Sequence, residues 1–489
     1  MKIISLLLCA AFLCASLISC GGTADDGAAA NTAAATAAAE TESTETLREN
    51  YPDTIPDGLD FGGATVTIHG RGNTHPQREL SAEQTGDIID DAVYYRNLSV
   101  EDRLNVKIET YTPYGWQEYG TGMNQIRSSV QAGEDAYQII AGYSSPIPAL
   151  SAEGLLLNLK EIPYIDLEQP WWVRSTVNDL TIHNKLYFLC GDIALTMLEY
   201  CYSIAVNLDI ARNYNVEDVY DTVLDGRWTL DRMYEISSGI YSDLDGDGAR
   251  NENDLYGLYI GSEIGNDLGA FIQSCDIHFT RRSEDDIPYL DADVDKLIIL
   301  TEKNYKLFYE NDGGYVNTSI KAYEKFPAGH MLFAPSYLYF YPDFYKGMES
   351  DYGILPYPKL DESQPEYRTG LQGGFSIWCV PISVQNLELS GAVMEAMAAQ
   401  SYRTLTPTYY ETALKVKYSR DEKSIKMLDI IRDGAVIDFD YVYNGMIGGP
   451  LGLHREIVSG KKSDFASKWA STEPKVAAAL EKLLISFED

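Results

Sequence analysis

The sequence predicts an α/β fold that contains a doubly wound sheet, in a chain long enough for two or three folding units. Its 489 residues exceed the size of one typical hydrophobic core. Near the start of the globular part, segments that alternate in polarity are separated by segments in which apolar residues recur at helical spacing. This order of strand, helix, strand, helix, strand is typical of parallel strands joined by right-handed crossovers.

The elements of this first unit can be assigned in order. They are strands at residues 65–68, 105–110 and 137–141 and helices at residues 85–103 and 120–131. Ligands of doubly wound sheets bind beyond the carboxyl ends of the strands. The turns at residues 70–73 and 143–145 should therefore border a cleft, which makes Arg71, Tyr143 and Ser144 candidate ligand contacts.

Further elements follow along the chain. They are strands at 186–190, 202–206, 331–335, 352–359 and 373–380 and helices after Thr229 and at 296–310, 387–402, 424–432 and 474–486. We predict that the strands at 331–335 and 352–359 return to the first sheet. Trp378, on the strand at 373–380, is a further candidate ligand contact.

Aromatic residues supply other candidates for a ligand site. Trp171 and Trp172 follow a proline, and adjacent tryptophans are costly to leave in water. They form either a stacking wall for a sugar ring or a hydrophobic lid over the core. Tyr443 and Asn444 lie in a segment that we predict to be an exposed loop, where aromatic and amide groups favour ligand binding.

Residues 243–254 match the template of a calcium-binding loop. The predicted oxygen ligands are Asp243, Asp245, Asp247, the Ala249 carbonyl, Asn251 and Asp254. Gly248 permits the sharp turn that this loop requires. Asp254 stands where sensor loops have a longer glutamate, and its shorter side chain reaches less far toward an ion. We expect a structural calcium ion rather than a switch. The alternative is an acidic surface turn without metal.

The amino end has the pattern of a processing signal. A basic residue and an apolar run precede Ser19-Cys20-Gly21, which looks like the lipobox of a bacterial lipoprotein. Residues 1–19 would be removed as a signal peptide, and Cys20 would carry lipid. Two or more acyl chains give stable membrane anchoring. Residues 20–55 then form an Ala/Thr/Glu-rich disordered tether.

Composition excludes some classes of partner. With 73 Asp and Glu against 38 Lys and Arg, the net charge is −35, which opposes binding to nucleic acid or to anionic membrane surfaces. The sequence has no GxSxG, HExxH, P-loop or GxGxxG motif, so the most recognisable enzyme classes are absent. Cys190, Cys201, Cys275 and Cys379 lack zinc-site spacing, and we expect buried free thiols, although an exported protein could form disulfides.

These features together resemble bacterial extracellular solute-binding lipoproteins of the carbohydrate-uptake type, which are relatives of maltose-binding proteins. The resemblance rests on residues 17–20, 228–229, 243–258, 352–359 and 395–433. It implies a periplasmic-binding-protein type II fold with two lobes, each a doubly wound sheet flanked by helices. Chain crossovers are expected near 191–200, Phe326 and Pro381. The implied lobes are 56–195 with 326–383, and 196–325 with 384–489.

The resemblance also implies the function. The protein would be a monomeric receptor that captures a sugar or oligosaccharide between its lobes and delivers it to the membrane permease of an ABC transporter. It would be held at the outer face of the cytoplasmic membrane by its lipid anchor alone. Two alternatives stay open, namely an exported carbohydrate-active enzyme with paired carboxylates and a binding or sensor lipoprotein without a transport role.

Overall fold

The computed structural model describes residues 48–414 and 422–488. The predicted signal peptide, Cys20 and most of the tether lie outside these residues. The strands are β1 (Ala64–His69), β2 (Val106–Tyr111), β3 (Ile139–Tyr143), β4 (Tyr202–Asn207), β5 (Tyr241–Ser242), β6 (Leu255–Ile260), β7 (Thr280–Arg282), β8 (Pro288–Leu290), β9 (Gly314–Val316), β10 (Met331–Tyr337), β11 (Tyr352–Leu355) and β12 (Ser376–Cys379).

Helices connect these strands and cover the sheets. They are α1 (Thr74–Leu80), α2 (Ile88–Leu104), α3 (Tyr119–Gln131), α4 (Pro148–Ala152), α5 (Arg174–Asp179), α6 (Leu195–Glu199), α7 (Leu208–Asn213), α8 (Val219–Leu224), α9 (Leu230–Ser238), α10 (Ile264–Ser274), α11 (Val294–Tyr309), α12 (Ala322–Lys325), α13 (Leu387–Gln400), α14 (Thr406–Thr408), α15 (Glu422–Asp433), α16 (Phe439–Val442), α17 (Leu451–Ser459) and α18 (Phe465–Ile485). Shorter 3-10 and π-type turns are Leu159–Glu161, Tyr341–Tyr345, Ser401–Leu405 and Tyr409–Leu414. Within the described part of the chain, none of the helices has the length and apolar character needed to cross a membrane.

The first sheet confirms the predicted order of strands and helices at the start of the chain. It has 4 strands in the order β12-β3-β1-β2. β1 pairs in parallel with both β2 and β3, as crossover helices α2 and α3 require. β12 closes one edge by pairing antiparallel to β3, with Ser376 opposite Tyr143. The C-terminal ends of β1 and β3 therefore lie on the same side of the sheet as the N-terminal end of β12.

The second sheet has 6 strands, with β11, β4, β10, β6 and β5 in that order and β9 beside β6. β10 and β11 flank β4 on either side, both antiparallel to it. The prediction that the strands at 331–335 and 352–359 return to the first sheet is therefore wrong. Both are fully buried apolar runs, and such runs predict a strand without identifying its partner.

The chain passes between the two sheets through segments that lie side by side. Residues 199–202 lead into β4, within reach of the predicted crossover at 191–200. Residues 369–375 lead back to β12, and the Tyr202 amide donates to the Gly370 carbonyl at 3.0 Å. The return crossover is thus not near Phe326. The chain also does not leave the first lobe near Pro381, because β12 and the helix that follows it both belong to that lobe. The other lobe boundaries stay predictions.

The helices that follow the return crossover divide between the lobes. α13 packs against α2 on the first sheet, although residues from 384 onward were predicted to lie in the second lobe. α17 packs against α10, and both α17 and α18 pack against α11 of the second lobe. α9 begins as predicted, because the Thr229 hydroxyl accepts from the Arg232 amide at 3.2 Å.

The globular body begins earlier than residue 56. The Tyr51 ring contacts the Trp171 ring at 6.1 Å, and Asp53 forms salt bridges with Arg103 and Arg403, each at 2.7 Å. Ile55 is buried in the core. Residues 51–55 are therefore packed against the first lobe and are not part of a disordered tether.

Candidate functional site

The edge of the first sheet brings together three of the predicted site residues. The Arg71 guanidinium lies 4.6 Å from the centre of the Tyr143 ring and donates to the Ser376 hydroxyl at 2.7 Å. The Ser144 hydroxyl donates to the Gly373 carbonyl at 2.9 Å. All of these side chains are buried, so they form the floor of a site rather than its exposed walls.

An exposed tryptophan that the sequence analysis did not select lies beside this floor. Trp116 follows β2, and its ring lies 5.0 Å from that of Tyr143 and 6.2 Å from that of Tyr119. It is 55% exposed, whereas Tyr143 is buried. The signal was present in the sequence, because Trp116 lies in the turn that follows a predicted strand at the same sheet edge.

Tyrosine rings from other parts of the chain complete the site. Tyr200, at the first crossover, lies 5.3 Å from Tyr339, which follows β10 of the second sheet. A side chain at Gly374 would come within 3.0 Å of the Tyr200 ring, and one at Gly373 would meet the Tyr441 hydroxyl at 3.0 Å. The two glycines therefore let Tyr200 and Tyr441 approach the crossover. The rings of Tyr200, Tyr339 and Tyr441 are all half-buried.

A histidine joins the two lobes across this site. His75 of α1 contacts Glu199 through Nδ1 at 3.2 Å and Asp343 through Nε2 at 3.3 Å. Its ring also lies 4.8 Å from that of Tyr339. Burial alone would lower the pKa of His75, but hydrogen bonds to the two carboxylates and their charges raise it to about 9. Arg78 forms a second ion pair with Glu199.

The paired tryptophans lie in the core. Trp171 and Trp172 are 0% and 2% exposed, and both indole N–H groups donate to Glu395 at 3.1 Å. Burial raises the pKa of the Glu395 carboxyl to about 8, against the opposing effect of these hydrogen bonds. The lid over the core is thus the interpretation that the structure supports, because a stacking wall needs exposed ring faces.

Two of the three remaining predicted ligand contacts are also removed from solvent. Trp378 is fully buried on β12, and Tyr443 is fully buried with its ring 4.8 Å from that of Phe439. Asn444 accepts from the Leu451 amide at 3.1 Å and so supports the start of α17. The prediction of an exposed aromatic loop is wrong, because this segment forms α16 and a packed turn.

The predicted calcium loop places its acidic groups together. Oxygen atoms of Asp243, Asp245 and Asp247 all lie within 4.8 Å of one another. The side-chain amide of Asn251 donates to Asp245 at 3.2 Å and to Asp247 at 3.1 Å. Gly248 has φ +74°, a conformation that suits the sharp turn. This set of oxygens fits the preference of calcium.

Asp254 closes the same loop from inside the protein. It is fully buried, and its carboxylate accepts from the backbone amide of Asn251 at 3.1 Å and from the Tyr241 hydroxyl at 3.2 Å. The next residue begins β6, so the loop is attached directly to the second sheet.

A polar cavity of about 330 Å³ lies elsewhere between the lobes, near β7, α5 and α16. Some of its charged groups form bonds within its walls. Asp276 accepts from His278 at 3.0 Å and from Arg368 at 2.8 Å, and Arg282 donates to the Asp179 carbonyl at 2.7 Å. The Arg282 bond joins the lobes, and the one aromatic side chain of the lining, Phe439, is buried and offers no exposed face to a sugar ring. The aromatic site is therefore the stronger candidate.

No protein-family model and no curated protein matches this sequence. Solved structures do match it. The GacH receptor of Streptomyces glaucescens, determined unliganded and with acarbose, is 13% identical over 86% of this chain and 99% of that chain, with a TM-score of 0.53. A sugar transporter of Rhizobium etli in an open conformation is 15% identical over 87% and 99%, with a TM-score of 0.55.

A third similar structure is an extracellular solute-binding protein of family 1 from Alicyclobacillus acidocaldarius. It is 12% identical over 88% of this chain and 100% of that chain, with a TM-score of 0.53. These likenesses show that the chain has the two-lobed α/β fold of these binding proteins.

Proposed function

We propose that this protein is a receptor that captures a sugar or oligosaccharide between its two lobes. The observation that carries the proposal is the group of aromatic rings at the crossover, to which Trp116 and Tyr143 of the first lobe and Tyr339 of the second contribute. Aromatic faces suit the C–H surfaces of sugar rings, and hydroxyl groups add hydrogen bonds. The fold shared with sugar-binding proteins supports the same conclusion.

The structure also suggests how such a receptor would close. Residues 199–202 and 369–375 connect the sheets, and hinge motion of a two-lobed protein is absorbed by a few such residues. His75 of the first lobe and Asp343 of the second would hold the closed form, because their contact spans the lobes.

Capture by Trp116 can be tested directly. The purified protein is screened by thermal melting against mono- and oligosaccharides, and the affinity for each hit is then measured for wild type and Trp116→Ala. We expect the substitution to weaken binding by about tenfold, because the sugar loses its stacking contact with the exposed indole. Tyr289→Ala, which removes an exposed ring from β8, is the matched control and should bind like wild type.

The outcomes distinguish the alternatives. Binding without turnover agrees with a receptor, whereas release of product from a bound glycoside would favour an exported enzyme. If no sugar in the panel stabilises the protein, sugar capture is wrong and the fold serves another solute. Equal affinity of wild type and Trp116→Ala for a bound sugar would exclude the stacking role of this residue.

We further propose that the captured sugar is delivered to an ABC transporter permease and that lipid on Cys20 anchors the receptor to the membrane. The lipobox at the amino end supports the anchor. Cys20→Ser should move the protein from the membrane fraction to the soluble fraction of cells, because the sulfur that carries the lipid is lost. A variant that stays with the membrane would contradict lipid anchoring. The unchanged distribution of Cys275→Ser, which removes a buried thiol, is the control.

Calcium binding by the loop at residues 243–254 is also proposed, with a structural role. The clustered oxygens of Asp243, Asp245 and Asp247 support it, as does the direct connection of Asp254 to β6. The ion would be held by Asp243, Asp245, Asp247, Asn251, Asp254 and the Ala249 carbonyl, and it would offset part of their negative charge.

A further inference from the structure

The basic groups on the first-lobe side of the aromatic site are already engaged. Arg71 donates to a serine hydroxyl beneath the Tyr143 ring. Arg78 is paired with Glu199, and His75 lies between Glu199 and a carboxylate of the second lobe. The charges of His75 and Arg78 are therefore compensated by carboxylates, and Arg71 is buried beneath the aromatic site.

The second-lobe side carries carboxylates that no base neutralises. Glu263 and Asp267 are separated by one turn at the start of α10, so they lie on the same helical face. Glu263 accepts from the Ser262 hydroxyl at 3.0 Å, and neither carboxylate forms a salt bridge within the described chain. The guanidinium of Arg455 packs over Gly265 on another side of the helix.

Asp267 is the more unusual of the two. It is only 4% exposed, yet its carboxyl makes no hydrogen bond to the residues that the structure describes. An unpaired buried carboxyl is costly, and burial together with the charge of Glu263 raises the pKa of Asp267 well above its ordinary value. A ligand that brings a positive charge would favour the ionised form of this carboxyl and pair with it.

The surroundings of Asp267 offer further unused polar atoms. The Tyr357 hydroxyl is buried without a hydrogen bond in the described chain, and the buried Tyr337 hydroxyl has only the Asn266 side chain beside it. Burial and the charge of Asp267 raise the pKa values of both. The Tyr337 ring stacks on that of Tyr339 at 5.5 Å, and Tyr339 in turn faces Tyr200 at the crossover. The charge of Asp267 acts on both hydroxyls, so its carboxyl lies near the rings that lead from Tyr337 through Tyr339 to the crossover.

We propose that Glu263 and Asp267 form a cation subsite that takes the ammonium group of an amino sugar, with the hydroxyls of Tyr337 and Tyr357 as additional hydrogen-bond partners. This inference rests on the proposed capture of sugars and specifies their class. A carboxylate pair beside aromatic faces is suited to an ammonium ion, which gains both charge-assisted hydrogen bonds and cation–π contact. The strongly negative net charge of −35 favours approach of such a ligand.

The test compares sugars that differ by one group. Glucosamine, galactosamine, mannosamine and their short oligomers are each paired with the neutral parent sugar, and both affinities are measured by calorimetry. For at least one pair we expect the amino sugar to bind about tenfold more tightly to the wild-type protein. Asp267→Asn and Glu263→Gln should each bring this ratio close to one while the affinity for the neutral sugar changes by less than about twofold.

The controls separate this inference from the function on which it rests. Glu362→Gln removes an exposed carboxylate of the same lobe and should keep the wild-type ratio. If Asp267→Asn fails to fold, the half-buried Glu263 still provides the test. Neutral sugars that bind as well as their amino counterparts would overturn the cation subsite and leave sugar capture intact. Absence of binding by either kind of sugar would overturn both.

Discussion

Alanine in place of Trp171 should lower the free energy of unfolding by about 3–5 kcal/mol, the usual cost of deleting a buried tryptophan. The indole is fully buried, and its ring contacts those of Tyr51 and Tyr402 at 6.1 and 6.0 Å. The substitution also leaves Glu395 without one of its hydrogen-bond donors. Denaturant unfolding of wild type and variant measures the difference.

Trp116→Ala is the matched control for this prediction, since it removes the same side chain from a position that is 55% exposed. Its effect on the free energy of unfolding should stay within about 0.5 kcal/mol. A Trp171→Ala protein that is as stable as wild type but has lost its ligand would contradict the core role. That result would restore the stacking wall as the correct interpretation.

These two tryptophans show what the sequence could and could not predict about the site. Trp171 stood out because it adjoins Trp172, but its burial depends on Glu395, which lies 224 residues further along the chain. No local pattern records such a partner. The position of a residue relative to a strand end was more informative, and it correctly brought Arg71, Tyr143 and Ser144 to one edge.

The fold shows the same division between local and distant information. β1, β2 and β3 could be predicted in order because alternation and helical spacing are local properties, and parallel pairing follows from the crossover helices. β10 and β11 were recognised as strands but assigned to the wrong sheet. Their pairing with β4 is set by side-chain packing between distant segments, which a continuous apolar run does not encode.

Removal of calcium should lower the melting temperature of the protein by several degrees. An ion present at about 100 times its dissociation constant stabilises the folded state by about 2.7 kcal/mol. The physical reason is charge, because the carboxylates of Asp243, Asp245 and Asp247 lie within 4.8 Å of one another and repel without a cation. Melting curves with excess calcium and with a chelator measure the effect.

Asp245→Asn removes one of these ligands and should abolish most of the calcium response, whereas Asp285→Asn, in an exposed turn between β7 and β8, should leave it unchanged. The same melting temperature with and without chelator in wild type would contradict a calcium site.

The effect of calcium should reach the whole second lobe, because Asp254 fixes the loop to the chain at β6, which pairs with β10, β5 and β9. A loop attached so closely to a central strand cannot loosen without weakening the sheet that supports the proposed ligand site.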